Sequence, residues 1–298
     1  MVGLKGWCII NTEDLSNYFN RGCIYVDLGN TEAAFPDFLQ ASRINPNYDT
    51  DILRVLSNAE RGDDEEEVRV VSARSEADTL VNVANELFRR GDVRGAIEQL
   101  NHSIRLDPTI PTAYFNRGLA YRRLGDNQRA IADYSRAIEL KPDYANAYNA
   151  RGVARSGTGD SKGAISDYTM ALRYAPYDPE LYYNRALDRS YIDDNQGAIA
   201  DLDVALRLRP DYVEAYNNRA QAHLDLGNTQ SAIEDCDQAL RLNPDYIFSY
   251  CVRGYAHARR GEKRVAREDL EIAARLFLRQ GDQRRYQRTL NDIERLGL

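Results

Sequence analysis

Apolar and small side chains in residues 111–144 follow the spacing of two consecutive helices. Tyr114, Gly118 and Tyr121 recur at intervals of four and three residues, which places them on one helical face. The next apolar face comprises Ala130, Tyr134, Ala137 and Ile138. The Gly-Asp pair at 125–126 separates the two faces; glycine suits the left-handed end of a helix, and aspartate caps the start of the next. The pattern predicts a helix–turn–helix unit.

The same pattern recurs every 34 residues. Units that begin at residues 77, 111, 145, 179, 213 and 247 are in phase without an insertion, and a further unit occupies 15–48. Six of the seven units carry a proline at the same internal position, near their end: Pro46, Pro108, Pro142, Pro176, Pro210 and Pro244. A period of this length predicts a solenoid of stacked units, which presents long surfaces for binding.

Three positions within the unit identify a family. Position 4 is large: Tyr18, Leu80, Tyr114, Tyr148, Tyr182, Tyr216 and Tyr250. Position 8 is small: Gly22, Ala84, Gly118, Gly152, Ala186, Ala220 and Gly254. Position 20 is alanine throughout: Ala34, Ala96, Ala130, Ala164, Ala198, Ala232 and Ala266. With the proline at position 32, this pattern closely resembles the tetratricopeptide repeat family.

The resemblance implies an all-α solenoid. In that family antiparallel helix pairs stack into a right-handed superhelix, and the first helix of each pair lines the concave face. The expected organisation is a lead-in at 1–14, a repeat at 15–48, a divergent helix with an acidic linker at 49–76, six repeats at 77–280 and a capping helix at 281–298. Segment 49–76 has two interpretations, a flexible hinge and a degenerate repeat, and the sequence leaves both open.

Composition limits the function. The net charge is −7, from 46 acidic and 39 basic residues, which argues against nucleic-acid binding and against a polybasic membrane patch. The apolar run at 7–10 is too short for a signal sequence, and no apolar segment reaches membrane-spanning length. The four cysteines show no paired spacing, and Cys236 occupies a position expected to be buried. We expect a cytoplasmic protein.

Arginine and aspartate recur together. Position 7 is arginine and position 23 is aspartate in the same six units, and the remaining unit has Val83 and Gln99 instead. A row of arginines can bind phosphate. Because the two residue types change together, we predict ion pairs between the two helices of each unit.

No catalytic or metal-binding pattern emerges. His223 and His257 share position 11 in neighbouring units, but no acid or cysteine joins them at ligand spacing. The sequence has no phosphate loop or nucleophile motif. We therefore predict that the protein is not an enzyme and holds no metal or cofactor.

The candidate site is a row of asparagines at position 6, which faces the groove in this family: Asn20, Asn82, Asn116, Asn184 and Asn218, interrupted by Ala150 and Val252. A side-chain amide both donates and accepts, so it matches the backbone of an extended peptide. Position 5 adds the aromatic side chains Phe19, Phe115 and Tyr183, a residue type common at interfaces. A similar asparagine ladder lines the repeats of the O-linked N-acetylglucosamine transferase. The basic residues that clamp acidic chaperone tails in related repeats are missing.

The sequence thus favours a non-catalytic scaffold or adaptor that binds an extended protein segment in its groove as a monomer. Two alternatives stay open, a repeat protein that self-associates and a regulatory subunit of an enzyme. RNA binding by helical repeats is disfavoured by the acidic charge.

Overall fold

The computed structural model describes residues 15–27, 31–44, 51–53, 55–56 and 65–298. Every regular element in those ranges is an α-helix, and they contain no strand. The all-α prediction is confirmed. The predicted lead-in at 1–14 and the first two acidic residues of the linker, 63–64, lie outside the described residues.

The chain divides into two compact parts, residues 1–141 and 142–298. The helices of the N-terminal part are α1 (Leu15–Asp27), α2 (Thr31–Ile44), α3 (Glu65–Arg89), α4 (Val93–Leu106), α5 (Pro111–Arg123) and α6 (Asn127–Leu140). Residues 51–53 and 55–56 are also helical. The helices pack as the pairs α1–α2, α3–α4 and α5–α6. The first helices of the pairs also contact one another, α1 with α3 and α3 with α5.

The C-terminal part repeats this arrangement. Its helices are α7 (Ala145–Gly157), α8 (Ser161–Tyr174), α9 (Pro179–Tyr191), α10 (Asn195–Leu208), α11 (Val213–Asp225), α12 (Thr229–Leu242), α13 (Ile247–Arg259), α14 (Lys263–Arg279) and α15 (Gln283–Arg295). Odd-numbered helices from α7 to α13 are the first helices of their repeats, and each contacts the next one along the chain. We call the surface that these first helices form within each part the first-helix face.

At the predicted turns that the structure describes, the glycines at 91, 125, 159 and 227 are all left-handed. Gly125 has a φ of +82°, the left-handed conformation in which glycine avoids the clash of a Cβ atom. Asp126 then caps α6, because its carboxylate accepts a hydrogen bond of 3.0 Å from the backbone N–H of Arg129. In the repeat at 179–212 the left-handed residue is Asp193, the only described residue other than glycine with a positive φ.

Small residues set the distance between paired helices. The alanine at position 20 is fully buried in all seven repeats. A Cβ atom on Gly118 would lie 2.6 Å from the ring of Tyr134, and one on Gly152 would lie 2.7 Å from the ring of Tyr168. These glycines therefore allow the aromatic side chain of the second helix to touch the backbone of the first.

Two helices extend beyond the repeat pattern. Helix α3 begins at Glu65, twelve residues before the repeat that starts at Ala77, so the acidic residues 65–67 form its first turn. Helix α14 is 17 residues long where the other second helices have 14, because Leu278 stands at the position of the usual proline. Helix α15 then packs on α14 and buries Ile293.

Candidate functional site

The predicted ion pairs join the two helices of six repeats. The pairs are Arg21–Asp37, Arg117–Asp133, Arg151–Asp167, Arg185–Asp201, Arg219–Asp235 and Arg253–Asp269. In each pair Nε and Nη2 of the arginine donate to the two carboxylate oxygens, the bidentate geometry that gives strong, directional pairs. The structural interpretation of the arginine row is confirmed.

Four of these six arginines also connect successive repeats, a contact that the sequence did not predict. Their third nitrogen, Nη1, donates to the side chain at position 25 of the preceding repeat. These bonds are Arg117–Asn101, Arg185–Thr169, Arg219–Asp203 and Arg253–Asp237. The available signal was the recurrence of polar residues at position 25. Each of these four guanidinium groups is thus committed on three nitrogens to the protein itself, which makes the row a poor phosphate site.

Tyrosine at position 4 completes this network. The six arginines lie over the tyrosine of their own first helix, with the guanidinium carbon 5.4 to 5.7 Å from the ring centroid. The hydroxyl groups of Tyr182 and Tyr250 each donate to the carbonyl of the preceding repeat's proline, at 3.1 Å. The tyrosine at position 4 therefore connects its repeat to the preceding one.

The asparagines at position 6 lie on the first helices and form bonds along the first-helix face. Asn116 donates to Asn85 at 2.8 Å, and Asn218 donates to the hydroxyl of Tyr183 at 3.0 Å. Asn184 donates to Asn149 at 3.3 Å. In all three the partner lies on the preceding first helix, so these amides bridge neighbouring repeats.

Those bonds use only the amide nitrogens. The carbonyl oxygens of Asn116, Asn184 and Asn218 accept no hydrogen bond within the described part of the chain, and all three residues are partly exposed. Asn82 is exposed, and its side chain makes no hydrogen bond to any described residue. Asn20 differs, because its amide donates to Thr79 at 3.5 Å and its oxygen is buried without a described partner.

The three aromatic candidates have different environments. Phe19 is only 6% exposed and packs against Phe38, so its ring belongs to the core of the first repeat and not to the surface. Phe115 is partly exposed, with its ring centroid 5.8 Å from that of Tyr134. Tyr183 is also partly exposed and lies 4.8 Å from the ring of Tyr212. Burial raises the pKa of the Tyr183 hydroxyl, which stays protonated beside Asn218.

Histidine and cysteine add no metal centre among the described residues, where no group of three or more His, Cys, Asp or Glu side chains could hold an ion. Nδ1 of His257 is hydrogen bonded to Glu262, whereas Nδ1 of His223 is buried without a partner. Cys236 is fully buried, and that burial raises the pKa of its thiol well above the usual range. No helix within the described ranges combines the length and apolar character that crossing a bilayer requires.

Comparison with family models decides the relationship. A model described as a TPR repeat matches residues 84–125, 118–159 and 193–227, and two models described as a tetratricopeptide repeat match 15–48 and 213–246. The chain belongs to the tetratricopeptide repeat family. Together the matched ranges span more than half of the chain, and each model describes a repeat and not a catalytic domain.

Several solved structures share this fold. PilW, a type IV pilus biogenesis factor, is 20% identical with a TM-score of 0.62 over 72% of this chain and 98% of its own. A tetratricopeptide repeat protein from Parabacteroides merdae is 21% identical, with a TM-score of 0.59 over 75% and 94%. YrrB is 19% identical, with a TM-score of 0.56 over 65% and 97%. A search of curated protein sequences found no match.

Proposed function

We propose that this tetratricopeptide repeat protein is a non-catalytic scaffold that binds an extended segment of a partner protein along its first-helix face. The observation that carries the proposal is the set of amide oxygens at Asn116, Asn184 and Asn218, which accept no hydrogen bond from any described residue. These three residues occupy the same position in their repeats. The side-chain nitrogen of each asparagine donates a hydrogen bond to the preceding first helix. That bond fixes the orientation of the amide oxygen before a ligand binds.

Such an arrangement suits a peptide backbone. An extended segment presents N–H groups at regular intervals, and an amide oxygen accepts from them whatever the side chains are. Pre-orientation lowers the entropy that binding would otherwise cost. Ala150 interrupts the row, so we expect two contact stretches, one over Asn82 and Asn116 and the other over Asn184 and Asn218.

Two aromatic side chains supply selectivity in this proposal. Phe115 and Tyr183 are partly exposed beside the asparagines and offer flat apolar surfaces to a partner's side chains. Phe19 is left out because it is buried. YrrB, a similar fold, is described as a TPR protein with an unusual peptide-binding site, which is consistent with this use of the fold.

The test is a triple variant, Asn116→Ala, Asn184→Ala and Asn218→Ala, titrated calorimetrically against a partner captured from native lysate. At roughly 0.5–1.5 kcal/mol for each hydrogen bond, binding should weaken by about 10- to 1,000-fold. The variant also loses three bonds between repeats, so its helicity must be checked by circular dichroism. The matched control is Asn291→Ala on the exposed side of α15. A folded triple variant that binds as tightly as the wild type would contradict the proposal.

Self-association is the second candidate function, and one surface favours it. A groove of about 300 Å³ in the N-terminal part is lined by Phe35, Phe38, Leu39, Ser42, Ile52, Leu53 and Leu56. Phe35 is 60% exposed and Leu53 is 68% exposed. A second copy could cover these side chains. Size-exclusion chromatography with light scattering distinguishes the two functions, because a monomeric mass favours the scaffold and a dimeric mass that Phe35→Ser halves favours self-association.

A further inference from the structure

The repeat at 179–212 holds one of its own arginines between an acid and an aromatic ring. Nη2 of Arg209 lies 3.2 Å from Oε1 of Glu180. The guanidinium carbon of the same arginine is 4.6 Å from the centroid of the Tyr212 ring. Carboxylate and ring together therefore form a receptor for a guanidinium group, and this chain fills it from within.

The next repeat has the same receptor without the arginine. Glu214 and Tyr246 stand 34 residues after Glu180 and Tyr212, but the position of Arg209 is taken by Asn243. Glu214 and Asn243 are exposed, and among the described residues no basic nitrogen lies within ion-pairing distance of Glu214. Burial raises the pKa of the Tyr246 hydroxyl to about 12, with the charge of Glu214 as the next cause. Because both repeats follow the same 34-residue plan, Glu214 and Tyr246 take the places that Glu180 and Tyr212 take around Arg209.

Neighbouring side chains extend the aromatic wall and do not neutralise the acid. The ring of Phe248 meets that of Tyr246 edge-on at 5.8 Å, and Phe248 is 42% exposed. The guanidinium of Arg285 lies 5.4 Å from the centroid of the Phe248 ring, and it pairs with Asp282 at 3.2 Å.

We propose that Glu214 and Tyr246 bind an arginine side chain of the partner, in the way that Glu180 and Tyr212 hold Arg209. This inference rests on the proposed function, because the arginine belongs to the extended segment that crosses the first-helix face. It names the partner's chemistry: a segment with a basic residue, attracted to a chain of net charge −7. No repeat has arginine or lysine at position 2, 5, 6 or 9, so these positions of the first helices add no positive charge that would repel a basic segment.

The probe is a random library of 12-residue peptides displayed on phage and selected against the whole chain. We expect arginine to be enriched at one position of the selected peptides. A synthetic consensus peptide should then bind Glu214→Gln about tenfold more weakly than wild type, a loss typical of one charged contact. Replacing the peptide's arginine by citrulline, its neutral analogue, should weaken binding to wild type equally and leave binding to Glu214→Gln unchanged.

A second variant tests occupancy of the receptor. Asn243→Arg supplies Glu214 with an internal arginine, as Arg209 does for Glu180, and should exclude the peptide's arginine with a similar loss of affinity. The position is exposed, so the fold has room for the longer side chain. Glu98→Gln is the matched control, since it removes one exposed carboxylate from α4 and should not alter binding.

The outcomes separate this inference from the proposed function. Peptides that depend on Asn116, Asn184 and Asn218 but bind Glu214→Gln and Asn243→Arg as tightly as wild type would overturn the inference alone. Peptides that ignore the asparagine variant would overturn the proposed function. A library that returns no binder would contradict both.

Discussion

The repeats at 179–212 and 213–246 share one backbone plan but satisfy their charges differently. Asp201 in the first repeat forms ion pairs with two arginines, Arg185 and Arg189, and Nη1 of Arg189 lies 2.9 Å from its carboxylate. Asp235 in the second pairs with Arg219 alone among the described residues, because position 11 there is His223. The buried aspartate of the first repeat therefore has two arginine partners, and that of the second repeat has one.

The contrast recurs at the other end of the two repeats, where Glu180 has an internal arginine and Glu214 has none. Both repeats nevertheless bury the same alanine at position 20, Ala198 and Ala232, to the same full extent. Fold and charge are therefore set by different positions of the repeat. Small buried residues fix the helix packing, and polar positions 11 and 31 are free to become either part of the scaffold or part of a binding surface.

The largest expected effect comes from removing the single arginine partner of Asp235. Arg219→Ala leaves Asp235, whose side chain is 9% exposed, without its ion pair and should lower the free energy of unfolding by roughly 3 kcal/mol. Arg185→Ala should cost only about 1–2 kcal/mol, because Asp201 keeps Arg189. Urea denaturation measures both. The exposed Arg207→Ala is the control, and equal losses at the two pairs would refute the comparison.

An intermediate effect should come from converting one repeat into the other. His223→Arg places a second arginine where Arg189 stands one repeat earlier, and it replaces a ring whose Nδ1 is buried without a partner. We expect a gain of about 0.5–1.5 kcal/mol, and a larger gain in the Arg219→Ala background. The four proteins form a double-mutant cycle, so the coupling can be read directly. Loss of stability in both backgrounds would show that position 11 cannot reach Asp235.

The smallest expected effect concerns the repeat at 77–110, which folds with no such pair. Val83→Arg with Gln99→Asp should restore the bridge and add about 0.5–1 kcal/mol in urea denaturation. The gain is small because position 25 of the preceding repeat is Leu39, which offers no acceptor for the third nitrogen. Each single change should be neutral or unfavourable. A double variant less stable than both singles would contradict the idea that the pair is separable from the core.

Much of this protein was readable from local patterns. The 34-residue period, the glycine turns and the alanines at position 20 predicted the helix pairs, because each is a requirement that a few neighbouring residues satisfy by themselves. The paired loss of arginine and aspartate at Val83 and Gln99 predicted the ion pairs for the same reason. The extra length of α3 was harder to foresee, because an acidic run is compatible with a linker and with a helix start.

The candidate site was predicted only as a row of residue types. Sequence placed Phe19, Phe115 and Tyr183 at equivalent positions, but burial at each depends on neighbours that differ from repeat to repeat, and Phe19 is in the core. Likewise, the sequence could not predict that three amide nitrogens of the asparagine row form hydrogen bonds between repeats while their oxygens accept none from the described residues. Those bonds depend on the preceding helix, which supplies Asn85, Asn149 or Tyr183 as the partner.

The sequence by itself therefore determined the family, the helical units and the pairs within each unit, since all of these rest on contacts that recur with the period. The tertiary structure decided which side chains form ion pairs between repeats, and it brought Glu180, near the start of its repeat, to Arg209, near the end of the same repeat. A contact of that kind depends on how the end of one helix meets the start of another, so it cannot be read from the spacing within either helix.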